Sequence, residues 1–325
     1  MNSKIDILTE KTIINKYLKK LNLNNKGTFN FENDAAYINI KKNKKLVITT
    51  DSISENIDFF KFDDPKSIAN KIVTINLSDL SAMGVDPYAY SLSLFLPNYI
   101  NKQWLKIFTN QLLKLQKKYN FYLLGGDLSK SNKLSLSASF FGFAKKNKII
   151  NQNKINQNND IWITGNLGDS YAGLQILRKK IKVNDKKLRD YFLKKYYYPK
   201  PCLIGSKIAN HVKSMKDISD GFIGDLNKML NNQFGASLDL NKLPTSPKLK
   251  KIINNNILFK KNIANCGDNY ELIIISNISK RKNILRIANQ NNLKISRIGK
   301  VTKKLGLQID SKYLTNISRE YDHFL

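Results

Sequence analysis

The chain has 325 residues, which is too long for one ordinary hydrophobic core and suits two domains. No run approaches the roughly 18 uninterrupted apolar residues of a membrane-spanning helix, and the amino terminus lacks the apolar block of a signal peptide. We therefore expect a cytoplasmic protein with no membrane partner. Two widely separated cysteines and two isolated histidines argue against a disulfide framework and a histidine-based metal site.

The formal net charge of +30 raises the question of a nucleic-acid partner, because so strong a field attracts polyanions. The lysines are scattered as pairs through runs that are also rich in Asn and Ile. We interpret them as a solvated basic surface and expect no specific nucleic acid. A basic nucleic-acid-binding protein with vestigial acidic motifs remains the alternative from another functional class, although no RNP, KH or helix-turn-helix signature supports it.

The first half of the chain alternates predicted helices and strands. An amphipathic helix is predicted at 4–22, and two β-branched runs at 35–40 and 45–53 predict a hairpin. A helix is predicted from the Asp before Pro65 to Gly84. The rest of this half predicts a strand at 88–97, a helix at 104–119, a short strand at 121–127 that ends in a Gly turn, and a strand at 133–144.

A polar stretch around 145–160 has no clear period, so we predict two domains, 1–147 and 148–325. The second half predicts strands at 161–165, 216–219, 236–240, 271–276 and 296–301 and helices at 171–180, 221–230 and 280–292. Both halves are therefore predicted to be α/β, with no demonstrable internal repeat.

Acidic residues recur beside Gly, Ser and Thr in five motifs, which are predicted to lie at strand ends or on a helix that borders a turn: FENDAA, ITTDS, NLSDLSAMG, LLGGDLS and KDISDG. Taken singly, an Asp in such a place is more often a turn or helix cap than a ligand. Several carboxylates that converge would repel one another without cations, and Mg²⁺ is usually held by one or two carboxylates together with substrate phosphates. The pattern therefore predicts a nucleotide site with several magnesium ions.

Taken in order, NLSDLSAMGVDP, LLGGDLS, DISDGFIGDL, GDNYEL and YDHF resemble thiamine-monophosphate kinase, from about Phe29 to Phe324. The resemblance implies the aminoimidazole-ribotide-synthetase-like ATP-binding superfamily. Its members have an N-terminal α/β domain that dimerises through its sheet and a C-terminal α/β domain. We accordingly expect a homodimer that uses ATP, Mg²⁺ and thiamine monophosphate.

The resemblance also implies roles for particular residues. Asp79 and Asp127 would be catalytic, with Asp79 as the central carboxylate that bridges metal ions. The implied magnesium-binding set is Asp34, Thr49, Thr50, Asp51, Asp79, Asp127, Asp217 and Asp220. The implied ATP-binding set is Gly126, Asp127, Lys148 and Ser219, and the implied substrate-binding set is Asp58, Asp268 and Tyr321.

Departures from the family pattern fall mostly at substrate positions. Asp58 replaces the usual His, Cys266-Gly267-Asp268-Asn269 replaces Gly-Gly-Glu-Asp, and Glu32-Asn33-Asp34 replaces Gly-Asp-Asp. Lys148 replaces an Arg and loses its bidentate fork. The nearest alternative is another ATP-dependent member of the superfamily, but the reactive Cys of selenophosphate synthetases and a C-terminal cysteine tail are both lacking.

The implied mechanism is direct in-line transfer of the γ-phosphoryl group of ATP to the phosphate of the substrate. A phosphate monoester loses its second proton near pH 6, so this nucleophile is already largely anionic at neutral pH. We therefore expect no general base, and charge neutralisation becomes the main task of the site.

Overall fold

The computed structural model describes residues 8–145, 149–150, 154–252, 262–309 and the backbone of 312–314. The chain divides into two compact units. The N-terminal unit comprises Met1–Leu80 and Pro87–Ala144, and the C-terminal unit comprises Ser81–Asp86 and Lys145–Leu325. Each unit contains one sheet with helices, which agrees with the predicted α/β class.

The N-terminal sheet has four strands in the order β1-β4-β2-β3. Strands β2 and β3 are parallel, and β2 and β4 are antiparallel. The strands are β1 Lys44–Ser54, β2 Pro87–Leu96, β3 Tyr122–Lys130 and β4 Ser135–Lys145. The helices are the short α1 Glu10–Ile13, then α2 Pro65–Ala82 and α3 Lys102–Tyr119, with α3 connecting the parallel pair.

Helix α2 confirms its prediction in position and in buried face. Pro65 has no N–H and a fixed φ, which suits the first position of a helix. Ile68, Ile72 and Leu80 are each at most 2% exposed, so the apolar face is buried as its spacing indicates. Asp79 lies on the same helix, half-buried beside this core.

The structure differs from two predictions near the amino terminus. The predicted strand at 35–40 is an extended loop without strand pairing, because the Tyr37 N–H donates to the Gly27 carbonyl at 3.0 Å and its ring packs against Phe29 at 5.5 Å. The amphipathic helix predicted at 4–22 is helical from Glu10 to Asn22, but it is a short α-helix that continues as a π-helix, Ile14–Leu18, and a 3₁₀ turn, Lys19–Asn22. Residues 4–7 of that prediction lie outside the described residues.

Strand β3 also differs from its prediction, since it runs through Gly125 and Gly126 to Lys130 instead of ending at a Gly turn. Asp127 is therefore in mid-strand, paired with Ser93 of β2. Asp51 is likewise in mid-strand, because β1 continues to Ser54. The expectation that these two carboxylates mark strand ends is wrong.

The C-terminal sheet has seven strands in the order β11-β10-β7-β9-β5-β8-β6. They are β5 Asp160–Thr164, β6 Ser214–Asp217, β7 Gly235–Leu238, β8 Leu272–Ser276, β9 Ile295–Thr302, β10 Gly306–Ile309 and β11 Lys312–Leu314. The helices are α4 Asp169–Leu177, α5 Lys186–Tyr197, α6 Gly205–Ile208, α7 Phe222–Leu230, α8 Pro247–Lys250 and α9 Arg281–Gln290. Helices α5, α6 and α8 and strands β10 and β11 had no counterpart in the sequence prediction.

The central strands of this sheet are buried on both faces. Ile161 and Ile163 of β5 pack in one hydrophobic cluster with Phe222 and Leu226 of α7, whereas Trp162 between them packs in a second cluster with Ile274. Alternate side chains of one strand thus serve two cores. Within the described residues, no helix combines the length and apolarity needed to cross a membrane.

Candidate active site

A pair of carboxylates joins strand β1 to helix α2 in the N-terminal unit. Asp51 points to the same side of β1 as Thr49, since side chains alternate along a strand. The Thr49 hydroxyl donates to Asp79 Oδ2 at 2.5 Å. Burial first, and then the charge and hydrogen bond of Asp79, raise the pKa of Asp51 to about 7. A carboxyl group whose pKa is raised beside a second carboxylate favours a bound cation, because the cation offsets the burial and the like-charge repulsion.

This donor set suits Mg²⁺, which takes oxygen ligands and keeps several sites for water and substrate phosphate. Two carboxylates and one hydroxyl are the protein's share of such a site. Among the residues that the structure describes, no group of three or more His, Cys, Asp or Glu side chains is arranged to hold a metal ion. A metal at Asp51 and Asp79 would therefore need further oxygens from phosphate or water.

Thr50 and Asp127 lie on the other face of the same sheet. The Thr50 hydroxyl is 2.8 Å from the Ser139 hydroxyl of β4, and Ser52 donates to Ser137 at 2.9 Å. Ser137 pairs with Ser93 of β2, and Ser93 pairs with Asp127 of β3. These residues form a continuous hydroxyl-rich face, which is half-buried or exposed.

Within one chain, Asp127 is far from the Asp51–Asp79 pair. Strand β1 and strand β3 are the two edges of the four-stranded sheet, and neighbouring strands are about 4.8 Å apart, so the edges are separated by roughly 14 Å. The structure brings Thr49, Asp51 and Asp79 together, but it does not bring Thr50 or Asp127 to them.

A cleft of about 390 Å³ in the N-terminal unit holds three of the predicted residues, namely Asp34, Gly126 and Asp127. Its wall is partly apolar and includes Leu92 and Phe141. Its size falls within the range of small-molecule sites. Asp34 therefore shares a cavity with Asp127 rather than with the carboxylate pair.

The predicted residues of the C-terminal unit follow strand β6. Asp217 ends the strand and is 4% exposed. Ser219 and Asp220 form the loop that leads into α7, and Lys228 donates to Asp220 Oδ2 at 3.0 Å. The end of β6 and the loop after it thus carry one buried and one half-buried carboxylate.

Two predicted substrate residues are engaged within their own loops. The Asp58 carboxylate accepts from the Ser54 N–H at 2.7 Å and so closes a turn after β1. Asp268 has a positive φ of 57°, and its carboxylate accepts from the Tyr270 hydroxyl at 2.7 Å. Lys148 and Tyr321 lie outside the described residues.

Comparison with known proteins places this architecture in a family. The sequence profile for AIR synthase related protein, N-terminal domain, matches residues 32–144, and the profile for its C-terminal domain matches residues 156–312. The thiamine-monophosphate kinase of Buchnera aphidicola subsp. Acyrthosiphon pisum (strain APS) is 35% identical over 97% of this chain and 99% of that protein. The chain belongs to the thiamine-monophosphate kinase family.

Solved structures of thiamine-monophosphate kinases agree with the fold. The enzyme from Stenotrophomonas maltophilia K279a superimposes with a TM-score of 0.81 at 25% identity, covering 87% of this chain and 90% of that one. AaThiL complexed with AMPPCP and TMP superimposes with a TM-score of 0.77 at 22% identity, covering 97% and 94%. The family assignment that the motifs indicated is confirmed.

Two acidic residues of this kinase family member were missed by the sequence reasoning. Asp225 of α7 is fully buried and accepts hydrogen bonds from the Ser219–Gly221 loop. Burial raises the pKa of Glu271 to about 7, and its carboxylate accepts from the Thr164 hydroxyl at 2.6 Å. Both belong to quoted motifs, DISDGFIGDL and GDNYEL, but nothing in the local pattern distinguishes a buried Asp on a helix from an exposed one.

Proposed function

We propose that the protein transfers the γ-phosphoryl group of ATP to the phosphate of thiamine monophosphate, giving thiamine diphosphate and ADP. The observation that carries this proposal is the Asp51–Asp79 pair with Thr49, in a chain that aligns over almost its whole length with a thiamine-monophosphate kinase. A site of this kind attracts cations. Cations offset the repulsion between the two negatively charged phosphate groups that react.

We propose a simple role for the N-terminal carboxylates. Asp51 and Asp79 would hold Mg²⁺ with Thr49, and the same proposal includes Asp34, Thr50, Asp127, Asp217 and Asp220 as further metal ligands. Bound Mg²⁺ neutralises charge on the reacting phosphates. The Thr49 hydrogen bond fixes the rotamer of Asp79, so one carboxylate oxygen stays oriented before the nucleotide arrives.

The remaining residues would bind the two substrates. We propose that Gly126, Asp127, Lys148 and Ser219 contact ATP and that Asp58, Asp268 and Tyr321 contact thiamine monophosphate. Attack by a phosphate that is already anionic needs no proton acceptor, which is consistent with a chain that contains only two histidines.

The purified protein is expected to form thiamine diphosphate and ADP in equal amounts from ATP and thiamine monophosphate, with Mg²⁺ required. Free thiamine should be a poor acceptor, because its neutral hydroxyl would need a base. Chromatography of both products over time, with and without EDTA, measures this. ADP release only with a different acceptor would contradict the substrate assignment.

We further propose that the active form is a homodimer in which each site takes residues from both chains. Support comes from the sheet, where Asp51 and Asp127 lie on opposite edges and opposite faces. A second copy packed on the hydroxyl-rich face would bring its β3 close to β1 of this chain. Because β1 is an edge strand, Asp127 of the second copy could then approach Asp51 around that edge. The half-buried hydroxyls of that face would hydrogen-bond across a hydrated interface.

Mixed dimers test this arrangement. Asp51→Asn and Asp127→Asn should each be nearly inactive alone, but a mixed dimer isolated with two affinity tags should regain about half of the wild-type turnover, because one of its two symmetric sites is intact. Asp51→Asn mixed with Asp79→Asn is the matched control and should regain nothing, since both changes then lie on the same side of the site. Equal inactivity of the two mixtures, or a monomer in sedimentation equilibrium, would contradict the proposal.

A further inference from the structure

A single buried carboxylate holds the turn that carries Ser219 and Asp220. Asp225 Oδ2 accepts from the backbone N–H groups of Ser219 at 3.2 Å, Asp220 at 3.1 Å and Gly221 at 3.2 Å. Asp225 is 0% exposed and lies on α7, immediately after this turn. We infer that Asp225 is a positioning residue, which sets the conformation of the nucleotide-binding turn without touching the nucleotide.

The three N–H groups would otherwise form an anion-binding nest. Successive backbone donors at the start of a helix commonly bind phosphate. In this protein the chain's own carboxylate occupies them, so they are not available to a phosphate of ATP. This turn can then contact a nucleotide or metal through the Ser219 and Asp220 side chains, whose directions depend on the turn that Asp225 holds.

The same turn is bonded to the predicted substrate loop. The Ser219 carbonyl accepts from the Asp268 N–H at 2.9 Å, while the Ser219 N–H donates to Asp225. A side-chain carbon at Gly267 would lie 2.2 Å from the Ser219 carbonyl oxygen, so the two loops are in close contact. One peptide segment therefore links Asp225 to Asp268, and a shift of the turn is passed on to the substrate loop.

The charge of Asp225 is balanced by Lys216 of β6. The Lys216 ammonium is 3.7 Å from Asp225 Oδ1, and this lysine is only about a quarter exposed, at 24%. Asp225 Oδ1 accepts no hydrogen bond from any residue that the structure describes. The carboxylate is thus held between a lysine on one oxygen and three backbone donors on the other. It faces the turn that its Oδ2 holds.

The simpler alternative is that Asp225 only stabilises the fold. Both interpretations predict a lower melting temperature after substitution, so stability cannot separate them. They differ in where the effect appears. A positioning residue should change hydrogen exchange at 219–221 selectively and should raise the KM for ATP, and a conservative replacement should restore part of each.

The experiment compares Asp225→Asn and Asp225→Ala with the wild-type protein. Asn keeps an acceptor oxygen but loses the charge, and charge-assisted hydrogen bonds are roughly twice as strong as neutral ones. Hydrogen exchange at 219–221 in the ligand-free protein should therefore quicken in the order wild type, Asn, Ala. The matched control is Asp239→Asn, which removes a carboxylate that accepts from the Asn241 N–H at 3.0 Å elsewhere in the same unit.

The kinetic arm rests on the proposed kinase function. The KM for ATP should rise by about 10- to 100-fold in Asp225→Ala, as is typical when the partner of a ligand-bearing group is removed. The rise should be smaller in Asp225→Asn, and kcat should change less than KM in both. Equilibrium binding of Mg²⁺ and a non-hydrolysable ATP analogue should weaken in the same order.

The outcomes are distinct. The inference would be overturned if Asp225→Asn matched the wild type both in hydrogen exchange at 219–221 and in nucleotide binding. This holds whether or not Asp225→Ala folds. Faster exchange with unchanged nucleotide binding would overturn it too, since the turn would then be held without consequence for the ligand. If the wild-type protein phosphorylated no thiamine monophosphate, the proposed function would fail, while the exchange and binding measurements would still decide the role of Asp225.

Discussion

Replacing Asp79 with Asn should lower the turnover of the kinase reaction by on the order of 10²-fold or more while leaving the fold intact. The amide has nearly the same shape as the carboxylate, and its oxygen can accept the same hydrogen bond from Thr49. What is lost is one negative charge from the pair that would hold Mg²⁺. The loss should therefore appear in catalysis and in the Mg²⁺ concentration needed for half-maximal rate.

The stability of the metal-free protein should be unchanged or slightly higher. Asp79 raises the pKa of Asp51 through like charge, so removal of its charge relieves a repulsion in the folded state. Melting temperature and initial rate should be measured together across a Mg²⁺ titration. Asp190→Asn, at an exposed position beside Arg189, controls for the loss of one negative charge.

Two results would remove Asp79 from the centre of the site. One is near-normal turnover at low Mg²⁺ in a well-folded Asp79→Asn protein. The other is a large drop in melting temperature that accounts for the lost activity, which would make Asp79 a structural residue of helix α2.

The sequence was sufficient to predict those elements whose structure depends on neighbouring residues. Helix α2 follows from Pro65 and the spacing of Ile68 and Ile72, and strand β4 follows from its strict alternation. The family followed from motifs distributed over most of the chain. Predicting these features requires only the neighbouring residues in the sequence, or the order of residue types along it.

The failures at Tyr37, Asp127 and Asp225 involve hydrogen-bond partners that residue type and periodicity do not indicate. The segment around Tyr37 has a strand-like composition, but its hydrogen bond goes to Gly27 and not to β1. Asp127 looked like a residue at a Gly turn, yet β2 pairs with both glycines and keeps the chain extended. The sequence pattern indicates that Asp225 is an ordinary polar residue on a helix. In the structure, three backbone N–H groups donate to one of its oxygens. Strand order and face, which separate Asp127 from Asp51, cannot be read from local pattern.

Gly126 gives the second large expected effect, and its neighbour Gly125 provides the control. A side-chain carbon at Gly126 would lie 1.8 Å from the Leu92 carbonyl oxygen and 2.6 Å from the Leu92 carbonyl carbon, both backbone atoms of the paired strand β2. At Gly125 the same carbon would meet nothing within 4 Å. Neither glycine has a positive φ, so alanine can adopt either backbone conformation.

The two substitutions change the unfolded chain equally, so the difference between them isolates the contact with Leu92. Gly125→Ala should be neutral or stabilising by up to about 1 kcal/mol, because alanine reduces the freedom of the unfolded chain. Gly126→Ala must push β2 and β3 apart and should lower the free energy of unfolding by about 3 kcal/mol or more, the upper range for an overpacked site. Urea denaturation of both variants under the same conditions measures the difference.

Equal stabilities would show that strand packing does not require glycine at position 126. The proposed contact with ATP would then be the leading explanation for Gly126. A large difference would mean that activity lost in Gly126→Ala reports on the sheet and carries no information about the nucleotide.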